Sequence, residues 1–166
     1  MLVSFAVSNY LSFRNERFFS MKATSISEHK ESLIEYPNGK YLRSAVLYGA
    51  NSSGKSNFIS ALNRMRRIIL SSVTLNDGDK LAYTPFLLTD KSTEDPTRFE
   101  IDFITDDETT FRYGFSYPQF KITDEWLFTH ARNATDTPCF SRAVQEFHVT
   151  AASPTAQHKQ HSPPAT

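Results

Sequence analysis

The sequence predicts a mixed α/β domain of the α+β kind, in which one strand, loop and helix unit is joined to a meander of antiparallel strands. Three observations carry this reading. A short apolar run, Ser44 to Tyr48 (SAVLY), leads directly into GANSSGKS at 49–56, whose last residues open a segment with apolar positions at intervals of three and four. Two runs of alternating residues, 99–104 and 111–117, flank the acidic stretch Asp106-Asp107-Glu108-Thr109. Only one helical pattern is strong, which argues against an alternating doubly wound sheet.

In chain order, Val3, Phe5 and Val7 alternate first, and Phe18, Ser20 and Lys22 then oppose Phe19, Met21 and Ala23. Two strands joined by a turn over Asn9 to Glu16 are the simplest reading. Ser25 to Lys40 is polar and holds Pro37-Asn38-Gly39, so it reads as a loop that ends in a turn. Ser44 to Tyr48 suits a buried strand. Phe58, Ile59, Leu62, Met65 and Ile69 then mark one face of a helix of about four to five turns that starts near Gly54. Arg64, Arg66 and Arg67 on its other side read as a solvated face, placed to complement the C-terminal helix dipole.

Asn76-Asp77-Gly78-Asp79 breaks the helical pattern, and the alternating runs 99–104 and 111–117 read as an antiparallel hairpin. Lys121 to Phe128 adds a third strand. For 131–149 a short helix and a strand are both open, the helix having Thr137 as its cap, Pro138 at its first position, and Phe140, Ala143, Val144 and Phe147 as its apolar residues. The composition then changes. Residues 150–166 (TAASPTAQHKQHSPPAT) hold neither an aromatic nor an acidic residue and are expected to form a disordered, low-complexity tail. His158 and His161 in that tail do not make a metal site, having no ordered partner.

Composition narrows the function classes. Eighteen basic and eighteen acidic residues balance, so net charge points neither to nucleic acid nor to an anionic membrane. One cysteine, Cys139, excludes an internal disulfide framework, and no apolar stretch reaches the roughly twenty residues of a membrane span. Met1 to Tyr10 lacks the features of a signal peptide, and a cytoplasmic location is expected.

The chemistry lies in the loop. Successive backbone N–H groups at the start of a helix can surround the phosphates of a nucleoside triphosphate. Gly49 permits a sharp exit from the strand, and Gly54 turns the chain into the helix. Lys55 then reaches the β- and γ-phosphates, Ser56 takes one position on Mg²⁺, and Ala50, Asn51, Ser52 and Ser53 supply the intervening backbone. The competing reading is an ordinary Gly-Ser turn before a helix; the apolar run before the loop and the periodic segment after it favour a Walker A loop.

Hydrolysis would also need an acid at the end of a buried strand. IDFITDDE at 101–108 has the right spelling, yet Glu100 and Asp102 mark one face of its strand as wet, and Asp106 and Asp107 read better as a solvated turn. Catalytic residues are therefore unknown from the sequence. The expected ligands are ATP and Mg²⁺.

The chain resembles the N-terminal part of bacterial AAA-type ATP-binding proteins with ABC- or SMC-like heads, a group that includes abortive-infection, retron and OLD-like defence proteins. The resemblance rests on SFAVSNYLSFRNERFFSMKA (4–23), LRSAVLYGANSSGKSNFISALNRM (42–65), PTRFEIDFITDDETTFRYGFSY (96–117) and ITDEWLF (122–128), about three quarters of the chain. It implies that 1–130 is the N-terminal lobe of an ABC-type P-loop NTPase head, incomplete as it stands. Gly49 to Ser56 would be the Walker A loop, with Asn57 just beyond it and Arg14 near the nucleotide. The resemblance further implies an ABC-type signature, a Walker B strand with its glutamate and a switch histidine, none of which the sequence contains. A truncated or frame-shifted frame, or one half of a split protein, is expected to look like this. Implied partners are a second ATPase head, as a homodimer or a split partner chain, and an effector nuclease or DNA; no membrane is implied. Two other functions compete: a self-sufficient small P-loop NTPase or kinase that uses Asp106 or Asp107, and a non-catalytic, nucleotide-switched interaction module.

Overall fold

The computed structural model describes residues 1–25, 30–72, 80–89, 92–119, 121–130, 136–143 and 146–149. Strand β1 (Leu2–Ser8) is the pivot of the architecture. On one side it pairs antiparallel with β2 (Arg17–Ser20), and on the other with β5 (Thr97–Ile104). Beyond β5 lie β6 (Thr110–Tyr117), β7 (Asp124–Thr129), β8 (Thr137–Ala143) and β9 (Glu146–Val149), which gives one seven-stranded sheet in the order β2-β1-β5-β6-β7-β8-β9, antiparallel at every step. The mixed α/β reading holds, with one α-helix among the described residues.

That helix, α1 (Lys55–Ser71), packs on the face of the sheet that the alternation of β1, β5 and β6 makes apolar. Phe5, Val7, Phe99, Phe115 and Tyr117 are fully buried there, beside Ala61, Met65 and Ile68 of the helix. Phe58 meets Phe5 edge to face at 5.5 Å, and Phe99 contacts Phe5, Tyr10, Phe115 and Tyr117. Aromatic pairs of this kind add about 0.5–1.5 kcal/mol each beyond the area they bury. The buried stripe is Phe58, Ala61, Leu62, Met65 and Ile68; the predicted members Ile59 and Ile69 are 50% and 39% exposed. A helix lying on a flat sheet buries a stripe set by the sheet, and small Ala61 was its best-fitting member. The arginines precede the last turn, which holds no basic residue, so they sit too far back for the dipole role. Instead the Ser72 backbone N–H and the Ser71 and Ser72 hydroxyls satisfy the terminal carbonyls of Ile68 and Ile69.

The opposite face is polar. Arg98, Glu100 and Asp102 of β5 face Ser116, Gly114 and Arg112 of β6 across the ladder. Arg112 donates to Asp102 at 2.9 Å and to Asp136 at 2.7 Å, and its hydrogen bond to Asp102 holds the guanidinium above the usual range.

Two expectations are corrected and one open choice is resolved. Ser44 to Tyr48 is not a strand: Val46, Leu47 and Tyr48 are 69%, 41% and 88% exposed, because every described strand is antiparallel and none lies beside this run to share hydrogen bonds. The polar stretch before it is more ordered than a loop. A 3-10 turn (Lys30–Ser32) leads into a hairpin of β3 (Leu33–Tyr36) and β4 (Gly39–Leu42), turning at Pro37-Asn38 as predicted and burying Tyr41 against Val3 and Ile104. Of the helix and the strand left open for 131–149, Thr137–Ala143 and Glu146–Val149 take the strand. β7 offers β8 a ladder, and Pro138 falls opposite Phe128 at a register shift, where a missing N–H is tolerated. Asn76 to Asp79 and the tail at 150–166, His158 and His161 included, lie outside the described residues.

Candidate functional site

The glycine-rich loop is shaped around Lys55. Its Nζ donates to the backbone carbonyls of Gly49 and Ala50, each at 2.7 Å, and lies 3.3 Å from Ser53 Oγ, which places the ammonium inside the bend of the loop. All three of its protons thus meet acceptors. Ser53 N–H closes a turn onto the Ala50 carbonyl at 3.3 Å, and Ser52 is left-handed with φ 65°. A non-glycine residue in that region costs free energy that the surrounding structure must offset.

Gly49 is favoured by space, and Gly54 by both space and conformation. A Cβ on Gly49 would stand 2.6 Å from Ser53 Oγ and 3.8 Å from Lys55 Nζ. Gly54 caps the helix at φ 95°, and a Cβ there would meet the Phe13 ring at 3.0 Å. No side chain caps the helix and its first turn carries no acid, so the N–H groups of Lys55, Ser56 and Asn57 point from the helix start without a local carboxylate. Ser56 is exposed and Asn57 half-buried.

One part of the site was not derivable from spacing. The turn after β1 folds back on itself through reciprocal backbone bonds between Tyr10 and Phe13, at 2.9 and 2.8 Å, and comes to rest on the helix start. Asn57 Nδ2 donates to Ser12 Oγ at 2.8 Å, and the Tyr10 and Ser60 hydroxyls share a bond of 3.0 Å. Residues some fifty positions apart in sequence are brought together here; only the resemblance, through the Asn-Tyr-Leu-Ser-Phe-Arg pattern, had singled this turn out. Arg14 belongs to the same turn and is exposed, its carbonyl accepting the Asn9 N–H at 3.2 Å.

Asp106 and Asp107 lie elsewhere. Ser8, next to the turn that touches the loop, pairs with Arg98 at the start of β5, whereas the two acids follow the far end of β5, where Phe103 pairs with Leu2. The length of β1, about 20 Å at strand rise, separates the two ends. Asp107 instead accepts hydrogen bonds from Thr105 and Thr109, which hold its carboxyl below the usual range, as befits a turn-forming aspartate. The reading in which these acids serve a metal at the loop is thereby overturned. Among the described residues there is no group of three His, Cys, Asp or Glu that would hold a metal ion, and no helix long and apolar enough to cross a membrane.

A glycine-rich loop that feeds the one α-helix among the described residues of a mixed α/β domain fits a P-loop-type fold, although the run just before the loop, Ser44 to Tyr48, is not a strand. Residues 44–160 match the family model described as "AAA domain, putative AbiEii toxin, Type IV TA system". The match covers well over half of the sequence and begins at the apolar run before the loop; the chain belongs to this AAA-domain family. No curated protein and no solved structure matches the chain.

Proposed function

We propose that the protein is an ATP-binding lobe of an AAA/ABC-type ATPase that holds Mg-ATP through Gly49 to Ser56 acting as a Walker A loop. The observation that carries this is the closure of the loop about Lys55, with Gly49 leaving the space that a methyl group would fill. In this reading Lys55 exchanges its carbonyl partners for the β- and γ-phosphates, and the backbone N–H groups from Asn51 to Ser56 bind phosphate oxygens. Ser56 contributes a hydroxyl to Mg²⁺, and Asn57 steadies the helix start against Ser12. The bound Mg²⁺ supplies charge neutralisation between phosphates.

Residues 1–130 are proposed as the nucleotide-binding lobe of an ABC-like head. Hydrolysis then depends on Walker B and signature elements from a longer or partner chain, such as a second head in a homodimer or split protein. The exposed apolar run Ser44 to Tyr48 supports this, since among the described residues none of its backbone groups joins a backbone–backbone hydrogen bond. Such a run is a template for strand addition. An effector nuclease or DNA as downstream partner rests on the family resemblance, and a cytoplasmic setting accords with it.

The test is a Mg-ATP titration of the 166-residue chain beside Lys55→Ala. Affinity is expected to fall at least tenfold, about 1.4 kcal/mol, with the thermal transition preserved. Equal affinity in the two proteins removes the proposal. Gly49→Ala is a milder probe of the same geometry: the new methyl must displace Ser53 Oγ, so binding should weaken several-fold by calorimetry while far-UV circular dichroism stays unchanged.

A further inference from the structure

We propose that the polar side of α1 forms a second anion site, a cleft that takes a small phosphate-bearing ligand on Arg64 and Arg67, along the helix from the glycine-rich loop, whose last residue Ser56 borders it. This goes beyond the nucleotide reading and does not depend on it. The cleft encloses about 300 Å³ and is lined by Ser56, Ile59, Ser60, Asn63, Arg64 and Arg67. Offsets of four, seven, eight and eleven residues from Ser56 place these polar side chains on one helix face.

The charge of the cleft is unbalanced. Arg98, Arg112 and Arg142 each find a carboxylate at 3.0 Å or less. Neither Arg64 nor Arg67 has one within ion-pair distance among the described residues, and α1 contains no acidic residue at all. The Tyr117 phenol feels the charge of Arg64, but burial pushes it up, so it stays neutral and donates to the Ala82 carbonyl at 3.3 Å. Two guanidinium groups three residues apart on a helix repel each other, and Arg64 is half-buried, which makes its unpaired charge more costly.

An oxyanion bridging the pair removes both penalties, and the planar fork of arginine matches the oxygens of a phosphate. Ser56, Ser60 and Asn63 add neutral donors around the same space, while Ile59, 50% exposed, offers one apolar contact. At about 300 Å³ the cleft is at the small end of ligand sites. A terminal phosphate or diphosphate suits it, and a long polyanion does not.

Pyrophosphate titrated by calorimetry into the full chain carrying Lys55→Ala tests this without a contribution from the loop lysine. Saturable binding is expected, weakened at least tenfold by adding Arg64→Ala and Arg67→Ala. Asn63→Asp, at an exposed position that does not threaten folding, should weaken it similarly by placing a carboxylate in the cleft. Adenosine monophosphate competing with pyrophosphate would identify a phosphate ester as the source, and free phosphate competing alone would identify the inorganic ion. Loss of all pyrophosphate binding in Lys55→Ala, or binding unchanged by the arginine and asparagine substitutions, overturns the proposal. So does a single-stranded oligonucleotide that binds where pyrophosphate does not. Failure of the nucleotide reading is separate, because it is scored by the difference in ATP affinity between the parent chain and Lys55→Ala.

Discussion

Gly114→Ala is expected to destabilise the protein by about 2–4 kcal/mol, a large effect for a single methyl group. The reason is the Trp126 indole, which lies across Gly114 on the polar face of the sheet. A Cβ at Gly114 would fall 2.3 Å from Cζ2 and 2.5 Å from Cε2 of that ring, closer than atoms can approach. Because Glu100, Gly114 and Trp126 are neighbours on three successive strands, the ring is also tied to β5. Its Nε1 donates to Glu100 at 3.0 Å, and the Arg98 guanidinium lies 4.9 Å from its centre. Evicting the ring forfeits a charge-assisted hydrogen bond worth roughly 1.5–3 kcal/mol and a cation–π contact of about 0.5–1 kcal/mol. Urea unfolding followed by circular dichroism measures the loss. Trp126 is the only tryptophan in the chain, so a red-shifted native emission reports the eviction directly. In a Trp126→Leu background the cost of Gly114→Ala should shrink to well under half; equal costs in both backgrounds would show that the ring is not the cause.

How far this architecture could be read beforehand depended on whether each element's pattern was local. Phe99, Ile101 and Phe103 against Phe111, Tyr113 and Phe115 form a strict period of two about an acidic turn, and the hairpin follows with its register intact. The helix was equally plain, since three- and four-residue spacing needs no knowledge of distant chain. The misses share one physical origin, which is dependence on a partner elsewhere in the chain. Ser44 to Tyr48 has a strand's composition, but a strand exists only with a neighbour, and none is provided among the described residues. The capping residues of Thr137 to Ala143 left a helix and a strand both open, and only the open edge on β7 decides for the strand. Tyr41 has no periodic signal at all, and its burial against Val3 and Ile104 arises from tertiary contact alone.

The loop follows the same rule. Its glycines, Lys55 and the uncapped helix start were legible because the geometry is written in eight consecutive residues. The wall built by Ser12 and Phe13 was not, since it requires the turn after β1 to meet α1. Asp106 and Asp107 show the reverse case. Their spelling resembles that of a metal ligand, but the wet face marked by Glu100 and Asp102 favoured a solvated turn, and the antiparallel register carries them to the end of β5 away from the loop.

Asn9→Ala is expected to cost about 3–5 kcal/mol, a large loss for a residue outside the apolar core. Asn9 is 6% exposed and left-handed, with φ 49°. Its side chain does the work of a strand partner for an irregular segment: Oδ1 accepts the Phe86 N–H at 3.1 Å, and Nδ2 donates to the carbonyls of Ser92 and Asp95 at 2.8 and 2.6 Å. Its own carbonyl accepts the Thr97 hydroxyl at 2.7 Å. Truncation leaves a backbone N–H and two carbonyls short of a partner, each at about 1–3 kcal/mol when buried, although Tyr83 shares the Asp95 carbonyl and softens the loss. Alanine also meets the left-handed penalty of about 1–2 kcal/mol, which asparagine bears more easily. Asn9→Gly separates the two terms, because glycine restores the conformation without the side chain; it should recover about 1 kcal/mol relative to alanine in urea unfolding. An alanine variant within 1 kcal/mol of the parent would refute the argument. The consequence reaches the candidate site, since Asn9 fixes the turn whose Ser12 and Phe13 rest on the helix start, and ATP affinity in the folded fraction of Asn9→Ala should fall along with stability.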